Sequence, residues 1–246
     1  MSQLPLQEIA TLLNRSARIV VLTGAGMSTE SGIPDFRSAN GLWTQNMSLA
    51  DAISIDYFRR DPLGFWQCFK DIFSIKLAGN YLPNAGHDFL AWLEQRQQSV
   101  TILTQNIDGL HQRAGSRDVL ELHGSLLTAG CPSCGTTHGL DYISQHELPL
   151  CSMCGDVLKP DVVLYGESVP HIEKAFSLAA AADCLLVMGS SLEVSPVNMI
   201  PAIAVENNIP AILINLSETR MDRLFDLLVH EKIGTSCSRL KESMQN

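Results

Sequence analysis

The 246-residue chain carries 17 Lys and Arg against 26 Asp and Glu, a formal charge of -9, with 46% hydrophobic and 17% charged residues. That is globular composition, long enough for one large core, and the acidic balance argues against a phosphate-backbone footprint, so no direct nucleic-acid partner is expected. No apolar run approaches the roughly 20 residues that span a bilayer, and Met1 to Ile9 lacks the basic and apolar regions of an export signal, so a cytoplasmic protein without membrane contact is expected.

In chain order, short apolar segments closed by Gly, Asn, Thr or Ser read as buried strands at 18–23, 100–104, 162–165, 184–189 and 211–215. Between them, residues 9–15, 86–97, 172–182 and 197–207 repeat apolar side chains at helical spacing, and 234–246 reads as a short terminal helix. The alternation predicts an α/β fold, a Rossmann-like doubly wound parallel sheet with ligands at strand carboxyl ends. Two stretches break the pattern: about 39–83, rich in aromatic residues, and about 126–159. They are expected to form a smaller lobe, made of a helical insert and a zinc-binding module. The Rossmann-like lobe then takes about 1–38, 84–125 and 160–246 of a single domain.

The second stretch holds Cys131, Cys134, Cys151 and Cys154 in the pattern C-x2-C-x16-C-x2-C. Each close pair wraps one side of a metal ion, and two pairs complete the tetrahedral sulfur shell favoured by Zn(II). With four thiolates bound the metal has no open position, so the zinc is expected to be structural. The other cysteines, Cys68, Cys184 and Cys237, stand scattered in apolar surroundings and fit a reducing compartment.

Chemistry is sought at the strand ends. The first strand runs into Gly24, Ala25, Gly26 and Thr29, where glycines permit a sharp turn toward a pyrophosphate and a following helix points N–H groups at its charge. Thr29 replaces the third glycine of the usual fingerprint, and no acidic residue stands at a second strand end about 20 residues on, so a structural glycine turn remains the alternative. Gln105, Asn106 and Asp108 end a second strand; they bind a ligand or close an Asx-turn. His123 precedes the first knuckle as a proton acceptor or a satisfied core residue. Gly189-Ser190-Ser191 and Asn215-Leu216-Ser217 suit ribose and phosphate contacts, with Ser191 or Ser217 as helix N-caps the alternative.

The segments GAGMSTESGIPDFR (24–37), PNAGHDFLAWLE (83–94), TQNIDGLHQRAG (104–115), ELHGS (121–125), KPDVVLYGE (159–167), GSSLEVSP (189–196) and NLS (215–217), with the four cysteines, cover nearly the whole chain. In this order they resemble the bacterial-type sirtuin family of NAD-dependent protein lysine deacylases. The resemblance implies NAD as a consumed co-substrate, lined by Gly24, Ala25, Gly26, Thr29, Phe36, Arg37, Gln105, Gly189, Ser190, Ser191 and Asn215, with Ile233 on the adenine side. Asn106, Ile107 and Asp108 would form the nicotinamide pocket, and His123 would be the general base. Val163, Tyr165, Gly166 and Glu167 would pair with the substrate backbone, and 39–46 would act as a lid.

The implied reaction moves the acetyl group of acetyl-lysine to ADP-ribose and releases nicotinamide; acetylated proteins are the partners, and a monomer is expected. Family members that prefer succinyl or malonyl groups carry a Tyr-x-x-Arg pair, where this chain places Phe69 and Ile72, so acetyl is the expected group. A protein ADP-ribosyltransferase using the same pocket, or a non-catalytic zinc-ribbon module, are the alternatives.

Overall fold

The computed structural model describes residues 4–34, 48–78, 81–96 and 99–245. Phe36, Arg37 and the expected lid at 39–46 lie outside the described residues. The elements run α1 (Leu4–Arg15), β1 (Arg18–Thr23), α2 (Leu49–Ala52), α3 (Ile55–Arg60), α4 (Pro62–Ala78), α5 (Ala85–Gln95), β2 (Ser99–Thr104), α6 (Leu110–Arg113), β3 (Val119–Glu121) and β4 (Gly124–Gly130). They continue with β5 (Thr137–Gly139), α7 (Leu140–Gln145), β6 (Lys159–Val162), α8 (Ile172–Ala180), β7 (Cys184–Met188), α9 (Ile200–Glu206), β8 (Ala211–Asn215), β9 (Leu227–His230) and α10 (Ile233–Gln245). Among the described residues no helix is long and apolar enough to cross a membrane.

Six parallel strands form one sheet in the order β3-β2-β1-β7-β8-β9. Central strands are apolar on both faces, which is why they read as continuous hydrophobic runs. Ile19 and Val21 of β1 join Ile102, Leu186 and Ile212 in a core closed by α1, α5 and α10. Val20 and Leu22 join Leu103, Val187 and Leu213 in a second core closed by α8 and α9. The order reverses between β1 and β7, the position at which doubly wound sheets take ligands.

Residues 162–165 do not join this sheet. Of these only Val162 is in a strand, as the last residue of β6, which pairs antiparallel with β4 in a separate three-stranded sheet, β5-β4-β6. The run is apolar because Val162 and Leu164 enter a third core, not because it lies between parallel strands. Four strands escaped the sequence reading, β3, β4, β5 and β9: β3, β5 and β9 have only three or four residues, and β4 has two buried positions in seven.

The third core contains Phe58, Phe65, Trp66, Phe69 and Phe73 of α3 and α4, with Leu126, Cys131, Ile143, Cys151 and Leu158 from the cysteine-bearing segment. Phe58 meets Phe65 edge-on at 5.2 Å, and Trp66 Nε1 donates to the Leu158 carbonyl at 2.9 Å. Lys70 Nζ donates to the carbonyls of Ile143 and His146 at the end of α7. The two sequence stretches that broke the alternation are thus packed together.

Where β1 and β7 end, three glycines touch. Gly24 N–H donates to Met188 O at 3.2 Å and Gly26 N–H to Gly189 O at 2.8 Å. A Cβ on Gly24 or Gly26 would lie 2.9 Å from Gly189 O, and one on Gly189, whose φ is +61°, would lie 2.3 Å from Met27 N. The chain beyond does not form the expected α-helix. It makes two 3-10 turns, Ala25–Met27 and Thr29–Ser31, ended by left-handed Gly32, because the backbone must stay pressed against Gly189. Asn84 holds these turns from outside: its Nδ2 donates to Met27 O at 2.8 Å and its Oδ1 caps α5 through Gly86 N–H at 2.9 Å.

Replacing Gly189 with alanine forces a left-handed Cβ into Met27. We expect a loss of about 2 kcal/mol, read as a fall of roughly 5 °C in the thermal midpoint. An unchanged midpoint would contradict the seam.

Candidate active site

The carboxyl ends of β1 and β2 are joined by side chains. Asn106 is buried; its Nδ2 donates to Ser28 Oγ at 3.1 Å, and Ser28 Oγ donates to Asp108 Oδ2 at 2.7 Å. The other Asp108 oxygen accepts the Leu110 N–H at 3.1 Å, so the Asx-turn exists and uses half of the carboxylate. The Asx-turn reading of this segment is borne out, and the other carboxylate oxygen is taken by Ser28. Among the described residues Asn106 Oδ1 has no hydrogen-bond donor, and the N–H groups of Ala25 and Thr29, which open the two 3-10 turns, have no acceptor. These atoms, together with the Gln105 and Ser190 side chains, supply the mixture of donors and acceptors that ribose hydroxyls, phosphates and a carboxamide require.

Gln105 reaches across the seam: its Nε2 donates to Ser190 Oγ at 2.9 Å, and Ser190 Oγ accepts Leu192 N–H at 3.2 Å. Ser191 caps no helix, since the next helical turn starts at Val197, and Ser217 caps none either. Asn215 Nδ2 instead donates to Ser217 O at 2.7 Å, shaping the end of β8. Thr29 Oγ1 bonds back to Gly26 O at 2.9 Å. Ile107 is buried in the third core, with its carbonyl accepting Leu126 N–H at 3.0 Å. Ile233 opens α10 as a buried side chain wedged against Gly86 and Gly189.

His123 lies in the short link between β3 and β4. Its Nδ1 stands 3.2 Å from the Gln105 carbonyl. A carbonyl only accepts, so Nδ1 carries the proton and Nε2 keeps its lone pair. Burial pushes the pKa of His123 below the usual histidine value, with the Gln105 hydrogen bond pulling partly the other way. The ring is therefore neutral at pH 7, with a free acceptor nitrogen. Its neighbour Gly124 has φ +76°, and a Cβ there would fall 1.9 Å from Asp161 O, so only glycine lets β4 leave His123 and meet β6.

Ser28, Thr23, Thr104 and His111 were not singled out from the sequence. Thr23 Oγ1 donates to Thr104 Oγ1 at 2.8 Å and meets His111 Nε2 at 3.0 Å, while Thr104 Oγ1 accepts the Asn106 N–H at 3.0 Å. His111 packs 4.9 Å from His87, and burial lowers the pair to pKa values of about 3 and about 4, so both stay neutral. For Ser28, one signal was available: a small hydroxyl two residues after the second glycine of a turn that leads inward.

The expected substrate strand is only partly free. Tyr165 N–H donates to Ile53 O and Tyr165 O accepts Ile55 N–H, both at 3.0 Å, and Val163 N–H donates to His123 O at 2.9 Å. Among the described residues the Val163 carbonyl and both backbone groups of Gly166 have no partner. Glu167 accepts Leu164 N–H at 2.8 Å and pairs with Lys159 at 3.0 Å.

The four cysteine Sγ atoms lie within 4.8 Å of one another, with Cys131–Cys154 at 3.4 Å and Cys134–Cys151 at 3.5 Å. A tetrahedral Zn(II) with sulfur at about 2.3 Å has edges of about 3.8 Å, so the set fits that ion with slight expansion. The knuckles are built alike: Cys131 N–H donates to Thr136 O and Cys151 N–H to Asp156 O.

A doubly wound sheet with a glycine-lined switch point, polar strand ends and a four-thiolate module defines a nucleotide-binding α/β protein with a structural metal site. The model of the Sir2 family matches residues 24–196, and the chain belongs to that family. It is 64% identical over 236 residues to an NAD-dependent protein deacetylase of Chromobacterium violaceum, covering 96% of this chain and 97% of that one. It is 52% identical to NAD-dependent protein deacetylase 2 of Geobacillus kaustophilus, covering 98% of each. A Sir2 structure with a deacetylated p53 peptide and 3'-O-acetyl ADP ribose superimposes with a TM-score of 0.87 at 35% identity, over 96% of this chain and 97% of that one.

Cysteines 131 and 151 are also part of the third core, so metal binding is coupled to packing. Strong chelation, or Cys151→Ser, is expected to lower the thermal midpoint by more than 10 °C and to expose the Trp66 fluorophore. A chelated protein that melts unchanged would exclude a structural metal.

Proposed function

We propose that the chain is an NAD-dependent protein lysine deacetylase, and that the cleft at the β1–β7 switch point is its active site. The observation that carries the reading is the meeting of the Ser28–Asn106–Asp108 cluster, fixed across two strand ends, with a neutral His123 whose Nδ1 is held by the Gln105 carbonyl. When bound, NAD supplies an electrophilic ribose carbon with a leaving nicotinamide, and the ADP-ribose that accepts the acetyl group.

The protein's own groups position and exclude water. Gly24, Gly26 and Gly189 bring the backbone close to the phosphates, with the N–H groups of Ala25 and Thr29 as donors and Gln105, Ser190, Ser191 and Asn215 along the nucleotide. Asn106 Oδ1 takes a ribose hydroxyl, Asp108 accepts from the carboxamide, and His123 Nε2 removes the proton of the hydroxyl that attacks the acetyl carbonyl. The open groups of Val163 and Gly166, with Glu167 beside them, pair with the substrate backbone. Ile233 supports the adenine side from beneath the loop. Segments 39–83 and 126–159 act as one lobe closing this cleft, and the free thiols Cys68, Cys184 and Cys237 fit work in the reducing cytoplasm.

His123→Ala is expected to lower deacetylation of an acetyl-lysine peptide, followed by mass, by about 10²–10⁴-fold with the fold intact. In the wild type, kcat/KM should fall on the acid side with a midpoint below pH 6.5, since burial holds the ring neutral. NAD consumption with labelled protein and an unchanged peptide mass would favour ADP-ribosyl transfer instead.

Acetyl is the group the pocket suits. Phe69 is buried and stacks on Phe65 at 5.5 Å, and the neighbouring Lys70 amine is committed to carbonyls of α7. Neither Phe69 nor the engaged Lys70 offers a distal carboxylate a cation, and a buried carboxylate without one costs several kcal/mol. A succinyl-lysine peptide is therefore expected to turn over at least tenfold more slowly than its acetyl counterpart; equal rates would overturn this assignment.

A further inference from the structure

Beside the open backbone of Val163 and Gly166 lies a groove of about 540 Å³ walled by the end of α3, by β6 and by residues 166–170. Four charged side chains line it: Arg59, Lys159, Asp161 and Glu167. Three of them are engaged within the protein. Lys159 Nζ is held by Glu167 at 3.0 Å and by the carbonyls of Pro160 and Val162, both at 3.1 Å. Glu167 also accepts the Leu164 N–H, and Asp161 Oδ2 accepts Thr128 Oγ1 at 2.6 Å.

Arg59 differs. It is exposed, and among the described residues its guanidinium has no hydrogen bond, ion pair or ring contact. The adjacent Arg60 lies over the Tyr57 ring at 5.5 Å and does not line the groove. A place in the last turn of α3 explains a cation by the helix dipole alone, and serves Arg59 and Arg60 equally. It does not explain why one of them faces a peptide-sized groove unneutralised.

We propose that Arg59 is a specificity-determining residue that pairs with an aspartate or glutamate flanking the acyl-lysine of the substrate. The inference rests on the deacetylase reading and on the groove as the path of the substrate backbone. A guanidinium presents two parallel N–H donors to a carboxylate, a geometry an amine or amide does not match. The preference also runs against the whole-molecule field, because a chain of formal charge -9 repels acidic peptides at long range. A local reader and a general field therefore predict opposite orders of substrates.

The test is a set of acetyl-lysine peptides of one length carrying Glu, Gln or Lys at each of two positions on either side of the acetyl-lysine. kcat/KM is measured for the wild type, Arg59→Gln, Arg59→Glu and, as a control of equal charge change, Arg60→Gln. At one position the wild type is expected to favour Glu over Gln about three- to fivefold, the range of an exposed to partly desolvated ion pair. Arg59→Gln should bring that ratio to about one, Arg59→Glu should shift preference to Lys, and Arg60→Gln should retain the wild-type ratio. Deacetylation of the neutral peptides without any Glu preference, or a ratio altered equally by the Arg59 and Arg60 variants, overturns the inference and leaves the deacetylase reading standing. Failure to deacetylate any peptide overturns that reading and the inference with it.

Discussion

Backbone pressed on backbone at the end of β1 and β7 governs the geometry of this molecule. Gly24, Gly26 and Gly189 stand so close that no side chain fits at any of them, and two N–H to carbonyl hydrogen bonds close the gap. Because the contact leaves no room for an ordinary helix start, the chain turns twice in 3-10 form and delivers Ser28 inward. Ser28 then meets Asn106 and Asp108, which come from the neighbouring strand end. The same glycines set where the polar side chains of Ser28, Asn106 and Asp108 converge.

A second constraint fixes the other wall. His123 is placed by Gln105 on one side and by the β4–β6 contact at Gly124 on the other. β4 leads directly to the first cysteine knuckle, and the thiols pack against the aromatic rings of α3 and α4. The cysteine cluster is therefore joined to the surroundings of His123 through β4 and the third core. A metal bound by these thiolates would help hold two sequence-distant segments together, because Cys131 and Cys151 belong to the core shared with α3 and α4.

Much of this was legible from residue order. The four central strands and their helices follow from apolar runs with clear stops, and the cysteine spacing pointed to one metal site. Residues 162–165 misled because an apolar strand-like run is equally at home in a third core, and periodicity carries no information about which sheet it enters. β3, β5 and β9 were missed because strands of three or four residues with at most one buried position leave little hydrophobic signal, and β4 because only two of its seven residues are buried. Ser28, Thr23, Thr104 and His111 were missed because their roles depend on hydrogen bonds across 78–88 residues of sequence, which no local pattern encodes. The pairing capacity of Tyr165 was overestimated for the same reason, since its partners Ile53 and Ile55 lie far upstream.

The account stands on one placement: a dinucleotide lying across the glycine seam, with its ribose between Asn106 and His123. A structure of the protein with NAD and an unreactive acetyl-lysine mimic tests this most directly. The account predicts the phosphates over Gly24–Gly26 and Gly189, and a ribose hydroxyl within hydrogen-bond reach of His123 Nε2. A dinucleotide bound elsewhere, or a ribose turned away from both side chains, would contradict it.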